Sequence, residues 1–99
     1  MIHIRLYTAG HRPELNQALI QFRMYLERQQ GEPCTVETVN VLEHPEKGEA
    51  DQIYATPTLI KLSPPPAMRV IGNITEPARI ARALGLTGGP IPKGKQDTP

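Results

Sequence analysis

Ninety-nine residues, 11 Lys and Arg against 10 Asp and Glu, a net charge of +1 and a single cysteine define one small domain. The near-cancelled charge leaves no general electrostatic footprint for nucleic acid. No apolar run approaches the ~20 residues of a membrane-spanning helix, and Cys34 alone excludes an internal disulfide. A chain of this size buries roughly 60–70% of the surface its unfolded form exposes. With no Trp, and Phe22 as the sole phenylalanine, its core has to be aliphatic.

In chain order, Ile2 to Thr8 alternates apolar and polar residues, the pattern of a half-buried strand. Ala9 to Arg12 reads as a turn, and Pro13 is placed to open a helix. From Pro13 to Gln30, Leu15, Ala18, Leu19, Phe22, Tyr25 and Leu26 fall on one helical face, and Gly31-Glu32-Pro33 ends it. Cys34 to Leu42 is β-prone. His44-Pro45 suits a helix start. About two turns follow before Tyr54, with Gly48 weakening the helix. Thr58 to Leu62 is the next strand, Ser63-Pro64-Pro65-Pro66 a stiff turn, and Met68 to Ile71 a short strand stopped by Gly72. Thr75 reads as the N-cap of a last helix, with Glu76 and Pro77 in its first turn and Ile80, Ala81, Ala83 and Leu84 to pack; Gly85 ends it. The domain is expected over residues 1–86, with 87–99, rich in Pro, Gly and Lys, as a disordered tail.

The predicted order is β-α-β-α-β-β-α, an α/β chain with a four-stranded mixed sheet and helices on its faces. This is the thioredoxin-like arrangement. Within it, Thr56-Pro57 stands at the mouth of the third strand. Proline lacks the backbone donor and is confined to a strand's start or edge, so Pro57 is a structural cis-proline candidate.

The chemistry of that fold is not supplied. Where the first strand meets the first helix, a redox protein carries a Cys-x-x-Cys pair, one thiolate to attack and one to resolve. Here Ala9-Gly10-His11-Arg12-Pro13-Glu14 holds no sulfur, and Cys34 has no partner and reads as a structural thiol. His3, His11 and His44 are too scattered for a metal site and read as surface residues. Glu46, Glu49 and Asp51 read as solvent-facing. There is no Walker loop, Gly-x-Gly-x-x-Gly or Gly-x-Ser-x-Gly. No catalytic, cofactor-binding or metal-binding residue is assigned. Partner-binding candidates are Tyr7, Gly10, Arg12, Gln52, Tyr54 and Lys61, because tyrosine and arginine join apolar area to hydrogen bonding at interfaces.

Several runs carry a family resemblance: Leu6-Tyr7-Thr8-Ala9-Gly10, Asn40 to Pro45, Asp51 to Leu59, Lys61 to Pro66 and Arg69-Val70-Ile71-Gly72-Asn73. Together they make ATPTL, K-x-x-P-x-P and R-x-I-G patterns within residues 4–76, and the chain resembles the KaiB family of clock proteins. The resemblance implies a non-catalytic protein with no cofactor that binds the KaiC ATPase ring and modulates its phosphorylation cycle. It also implies a metamorphic chain, with a tetramer-forming KaiB fold as the alternative to the thioredoxin-like one; two packings coexist only within a few kcal/mol.

Three departures bear on this. Ala83 and Gly85, the fold-switch candidates, stand where many clock members have Gly and Asp. Glycine to alanine inside a helix favours it by roughly 1 kcal/mol, so the thioredoxin-like state is expected to dominate. Glu37 stands where a Lys is usual on the edge used toward KaiA, and a reversed charge argues against KaiA as a partner. Gln52 replaces a common Lys. The expected protein is cytoplasmic, touches neither nucleic acid nor membrane, and is compatible with a dimer or tetramer. The alternatives are a diverged thioredoxin-like redox protein working through Cys34, a stress-related adaptor, or a relative of the KaiB-shaped sensory domain of the SasA kinase. The last is disfavoured because no kinase region follows residue 99.

Overall fold

The structure, a computed structural model, describes residues 1–86, so the tail expected over 87–99 lies outside the described residues. Seven elements follow in order: β1 (Ile2–Thr8), α1 (Pro13–Gln30), β2 (Cys34–Asn40), α2 (Pro45–Ala50), β3 (Thr58–Ser63), β4 (Met68–Ile71) and α3 (Pro77–Ala83). They form one sheet in the order β2-β1-β3-β4. β1 runs parallel to β2, with Arg5 opposite Glu37, and antiparallel to β3; β4 closes the sheet as an antiparallel edge. This is the expected α/β architecture.

The alternation of β1 separates the two faces. Ile2, Ile4 and Leu6 join Leu59 beneath Leu19, Phe22 and Leu26 of α1 and Ile80 and Ala81 of α3, with Leu84 just past its end, making the main core. Tyr7, Val39 and Ile60 face the other way, with Val41, Ile53 and Leu62 around them, under the short α2. β1 and β3 are central and carry almost all the buried strand positions; β2 and β4 are edges and read as more exposed.

Glycine has a packing use in α2. A Cβ on Gly48 would stand 3.1 Å from Val41 Cγ1, so its absence lets the helix lie close against the end of β2. The residue that weakens α2 by propensity is therefore the one that lets it pack.

Three boundaries differ from expectation, the first being that β3 runs one residue past Leu62, to Ser63. β2 stops at Asn40, not Leu42, because the Asn40 side-chain oxygen accepts from the Leu42 and Gly10 amides at 3.0 and 2.8 Å and turns the chain out of the ladder. Leu42 is left exposed. Thr75 does not cap α3. Its amide and hydroxyl both bond the Asn73 Oδ1, and Glu76 occupies the cap position without a side-chain bond.

Candidate docking surface

The peptide bond before Pro57 is cis, as are those before Pro64 and Pro66. The Pro57 carbonyl accepts from the Gly72 amide at 2.9 Å, tying the entrance of β3 to the exit of β4. Beside this entrance the chain leaves α2 through Asp51, Gln52, Ile53 and Tyr54. Gln52 is in the left-handed region with φ 56°, a conformation non-glycine residues adopt infrequently. The turn throws the Tyr54 ring into solvent, where it is 88% exposed. Gln52 and Tyr54 line an open groove of about 760 Å³ with Val41, Pro45 and Ile53.

The other predicted contacts separate from this pair. Gly10 (φ 88°) and Arg12 sit in a second, polar cleft with Thr8, His11, Asn40 and His44; Arg12 pairs with Glu14 at 2.6 Å. Tyr7 and Lys61 are 1% and 2% exposed. Their side chains are out of a docking partner's reach in this fold, because β1 and β3 are central strands with both faces covered where these residues sit. Lys61 lies on the main-core side under the end of α3; its Nζ is 3.8 Å from where a Cβ on Gly85 would stand. Ala83 is the last residue of α3. Gly85 (φ 71°) closes a Schellman motif: its amide reaches the Arg82 carbonyl at 3.0 Å, and the Leu86 amide reaches that of Ala81 at 2.8 Å.

Behind the exposed segment lies a polar network that crosses the sheet. The Glu37 carboxylate receives His3 Nε2 at 2.8 Å and the Arg5 Nε and Nη2 groups at 3.0 Å each. Arg5 Nη1 donates to Asp51 Oδ2 at 3.0 Å, and the same oxygen accepts from the Tyr7 hydroxyl, which also reaches the Lys47 carbonyl at 3.2 Å. Partial burial pushes the Glu37 carboxyl up. The hydrogen bonds from His3 and Arg5 and the Arg5 charge outweigh it, and the net direction is down. Burial, then the bond to Asp51, raises the Tyr7 hydroxyl. From the edge of the sheet, Arg69 adds a fork: Nη2 to the Asp51 carbonyl at 2.8 Å and Nη1 to that of Gln52 at 3.1 Å.

The chain alone reads Asp51 as solvent-facing, like Glu46 and Glu49, and His3 as a surface residue. Glu46 and Glu49 are exposed, but Asp51 is half-buried and doubly bonded, and His3 is held by Glu37. The alternation His3-Arg5-Tyr7 was a signal that these three share a face. That Glu37 stands opposite Arg5 required the strand register.

Cys34 is 6% exposed at the start of β2, and its amide donates to Glu27 Oε2 at 3.1 Å. Burial, with the Glu27 charge next, pushes its thiol up to about 11. A thiol held so far above neutral pH is a poor nucleophile.

The strand order, the cis-proline at the mouth of β3 and the sulfur-free loop after β1 define a thioredoxin-like domain without the redox dithiol. The solved structures agree on the fold. The N-terminal domain of Synechococcus elongatus SasA superposes with a TM-score of 0.65, at 20% identity over 91% of this chain and 89% of that one. Chloroplastic thioredoxin z gives 0.64 at 22% identity over 86% and 76%. The chain belongs to the KaiB family, whose domain matches residues 5–86. It is 39% identical over 83 residues to the circadian clock oscillator protein KaiB of Prochlorococcus marinus strain MIT 9313, covering 84% of this chain and 70% of that protein. It is 34% identical over 95 residues to circadian clock protein KaiB3 of Synechocystis sp. PCC 6803, covering 96% and 89%. This membership supports a circadian-clock role. No helix among the described residues is long and apolar enough to cross a membrane.

Proposed function

We propose that this chain is a non-catalytic clock or timer component that binds a KaiC-type ATPase ring through the end of α2 and so modulates the ring's phosphorylation cycle. The observation that carries the reading is Tyr54. An aromatic ring 88% exposed, beside a groove and on a turn held by side chains from two strands, β1 and β4, has the character of an interface anchor. Family membership supplies the class of partner. Gly10 and Arg12, at the same end of the sheet, are candidates for a second patch, whereas the buried Tyr7 and Lys61 act from within. Work in the cytoplasm fits a soluble partner of this kind.

KaiA is a poor candidate for a further partner. Glu37 brings a carboxylate to the β2 edge, and that carboxylate is already engaged by His3 and Arg5. The redox alternative has little support, because the one thiol is buried and shifted up to about 11. A pull-down of the KaiC-type ATPase, with and without ATP, tests the reading. The ring is expected to bind the wild type and to bind the Tyr54→Ala variant measurably but much more weakly, at unchanged melting temperature. Wild-type capture by the Tyr54→Ala variant would sink the assignment of the site. Turnover in a dithiothreitol-dependent insulin reduction assay, lost on replacing Cys34, would sink the non-catalytic reading.

A further inference from the structure

We infer that Arg69 is a positioning residue of this surface: its guanidinium holds the turn after α2 and thereby sets where Tyr54 is presented. The inference rests on the docking role proposed for Tyr54. The arginine of the R-x-I-G run sits on edge strand β4, opposite Ile60, and reaches across to the end of α2. It donates to two successive carbonyls, Asp51 at 2.8 Å and Gln52 at 3.1 Å. A planar fork can span two such acceptors at once, which a single ammonium does poorly.

Those carbonyls flank the residue that needs holding. Gln52 is the one non-glycine residue with positive φ among the described residues, and a side chain there disfavours the turn. Its amide bonds Glu49 O at 3.1 Å, and the Ile53 amide closes the turn on Gly48 O at 2.8 Å. The Asp51 side chain is fixed separately by Arg5 and Tyr7. Arg5 and Tyr7 thus secure the near side of the turn, and Arg69 secures its peptide backbone. Without Arg69, Gln52 is free to relax toward negative φ, which re-aims the two residues that follow it.

The test is a double-mutant cycle between Arg69→Leu and Tyr54→Ala, read by affinity for the ATP-loaded ring and by amide exchange of the free protein. Arg69→Leu is expected to speed exchange at Gln52 and Ile53 about tenfold while β1 amides stay protected. It is also expected to weaken ring binding about tenfold. Arg69→Lys should fall between and keeps the comparison intact if the leucine variant folds poorly. Because Arg69 acts through Tyr54, the double variant should bind no worse than Tyr54→Ala alone; additive losses would mean that Arg69 touches the partner itself and would overturn the inference. Unchanged exchange at Gln52 and Ile53 would overturn it too, as would full affinity in Arg69→Leu beside a damaged Tyr54→Ala. If Tyr54→Ala binds like wild type, the docking role of Tyr54 fails, and with it this role for Arg69; faster exchange would then report only a structural clamp.

Discussion

Glu37 shows how a single side chain changes meaning once its neighbours are known. On sequence it is a reversed charge on an edge strand; in the fold its carboxylate is the acceptor for His3 and Arg5. Its pKa is lowered in the folded state, so its contribution is present above the ordinary carboxylate range and disappears as pH falls through the folded value. At pH 7 Glu37→Gln is expected to be less stable than the wild type, by less than about 1 kcal/mol because the cluster is half solvated. The gap should begin to narrow below the ordinary carboxylate value of about 4.3 and shrink further toward the lower folded value, and urea melts of both proteins at pH 7 and pH 3.5 check that it is smaller at the lower pH. Cys34 carries a second prediction at this scale. With its thiol pushed up to about 11 and 6% exposed, only about a thousandth of it is thiolate at pH 8. Alkylation of the native protein should be slower than that of the urea-unfolded chain by two orders of magnitude or more, and a mass-spectrometric time course measures it.

Among the elements, α2 and α3 are the short ones and each depends on a glycine. Gly48 lets α2 approach Val41, and a valine there would have to lift the helix. Gly48→Val is expected to cost about 1–3 kcal/mol by overpacking and by β-branching, seen as a lower urea midpoint. Gly85 supplies the left-handed residue of the Schellman motif, and a Cβ there would stand 3.3 Å from Met68 Sδ. Gly85→Ala should cost about 1 kcal/mol or more, fraying α3 first, which amide exchange at Leu84 and Leu86 reports. The helix boundaries follow the same logic. Pro13, Pro45 and Pro77 each sit at a first helical turn, where the missing donor costs nothing; the starts at Pro13 and Pro45 were readable from the chain, and that of α3 falls one residue later than a Thr75 cap would place it. Asn40 and Asn73 redirected β2 and the approach to α3 through side-chain bonds that periodicity does not register.

For the whole molecule, the thioredoxin-like state is expected to dominate. The structure has the thioredoxin-like strand order, and Ala83 lies within α3 where many relatives are expected to carry glycine. Ala83→Gly should weaken this state by about 0.5–1 kcal/mol, roughly a two- to fivefold fall in its population relative to any competing packing. Amide spectra of the wild type should show one dominant set of resonances, and a second set should gain intensity in the variant. Equal populations in the wild type would contradict the assignment of Ala83 as a tipping residue. The amino-acid chain alone carried the element order, the largely aliphatic core, the missing dithiol and the place of Pro57, because alternation, helical spacing and turn residues are local properties. It could not decide that Tyr7 and Lys61 are buried, that Asp51 is a hub rather than a solvated charge, or that Arg69 reaches the end of α2. Those outcomes depend on which strands are central and which residues stand opposite one another, and only the packed sheet brings together groups 17 to 46 positions apart.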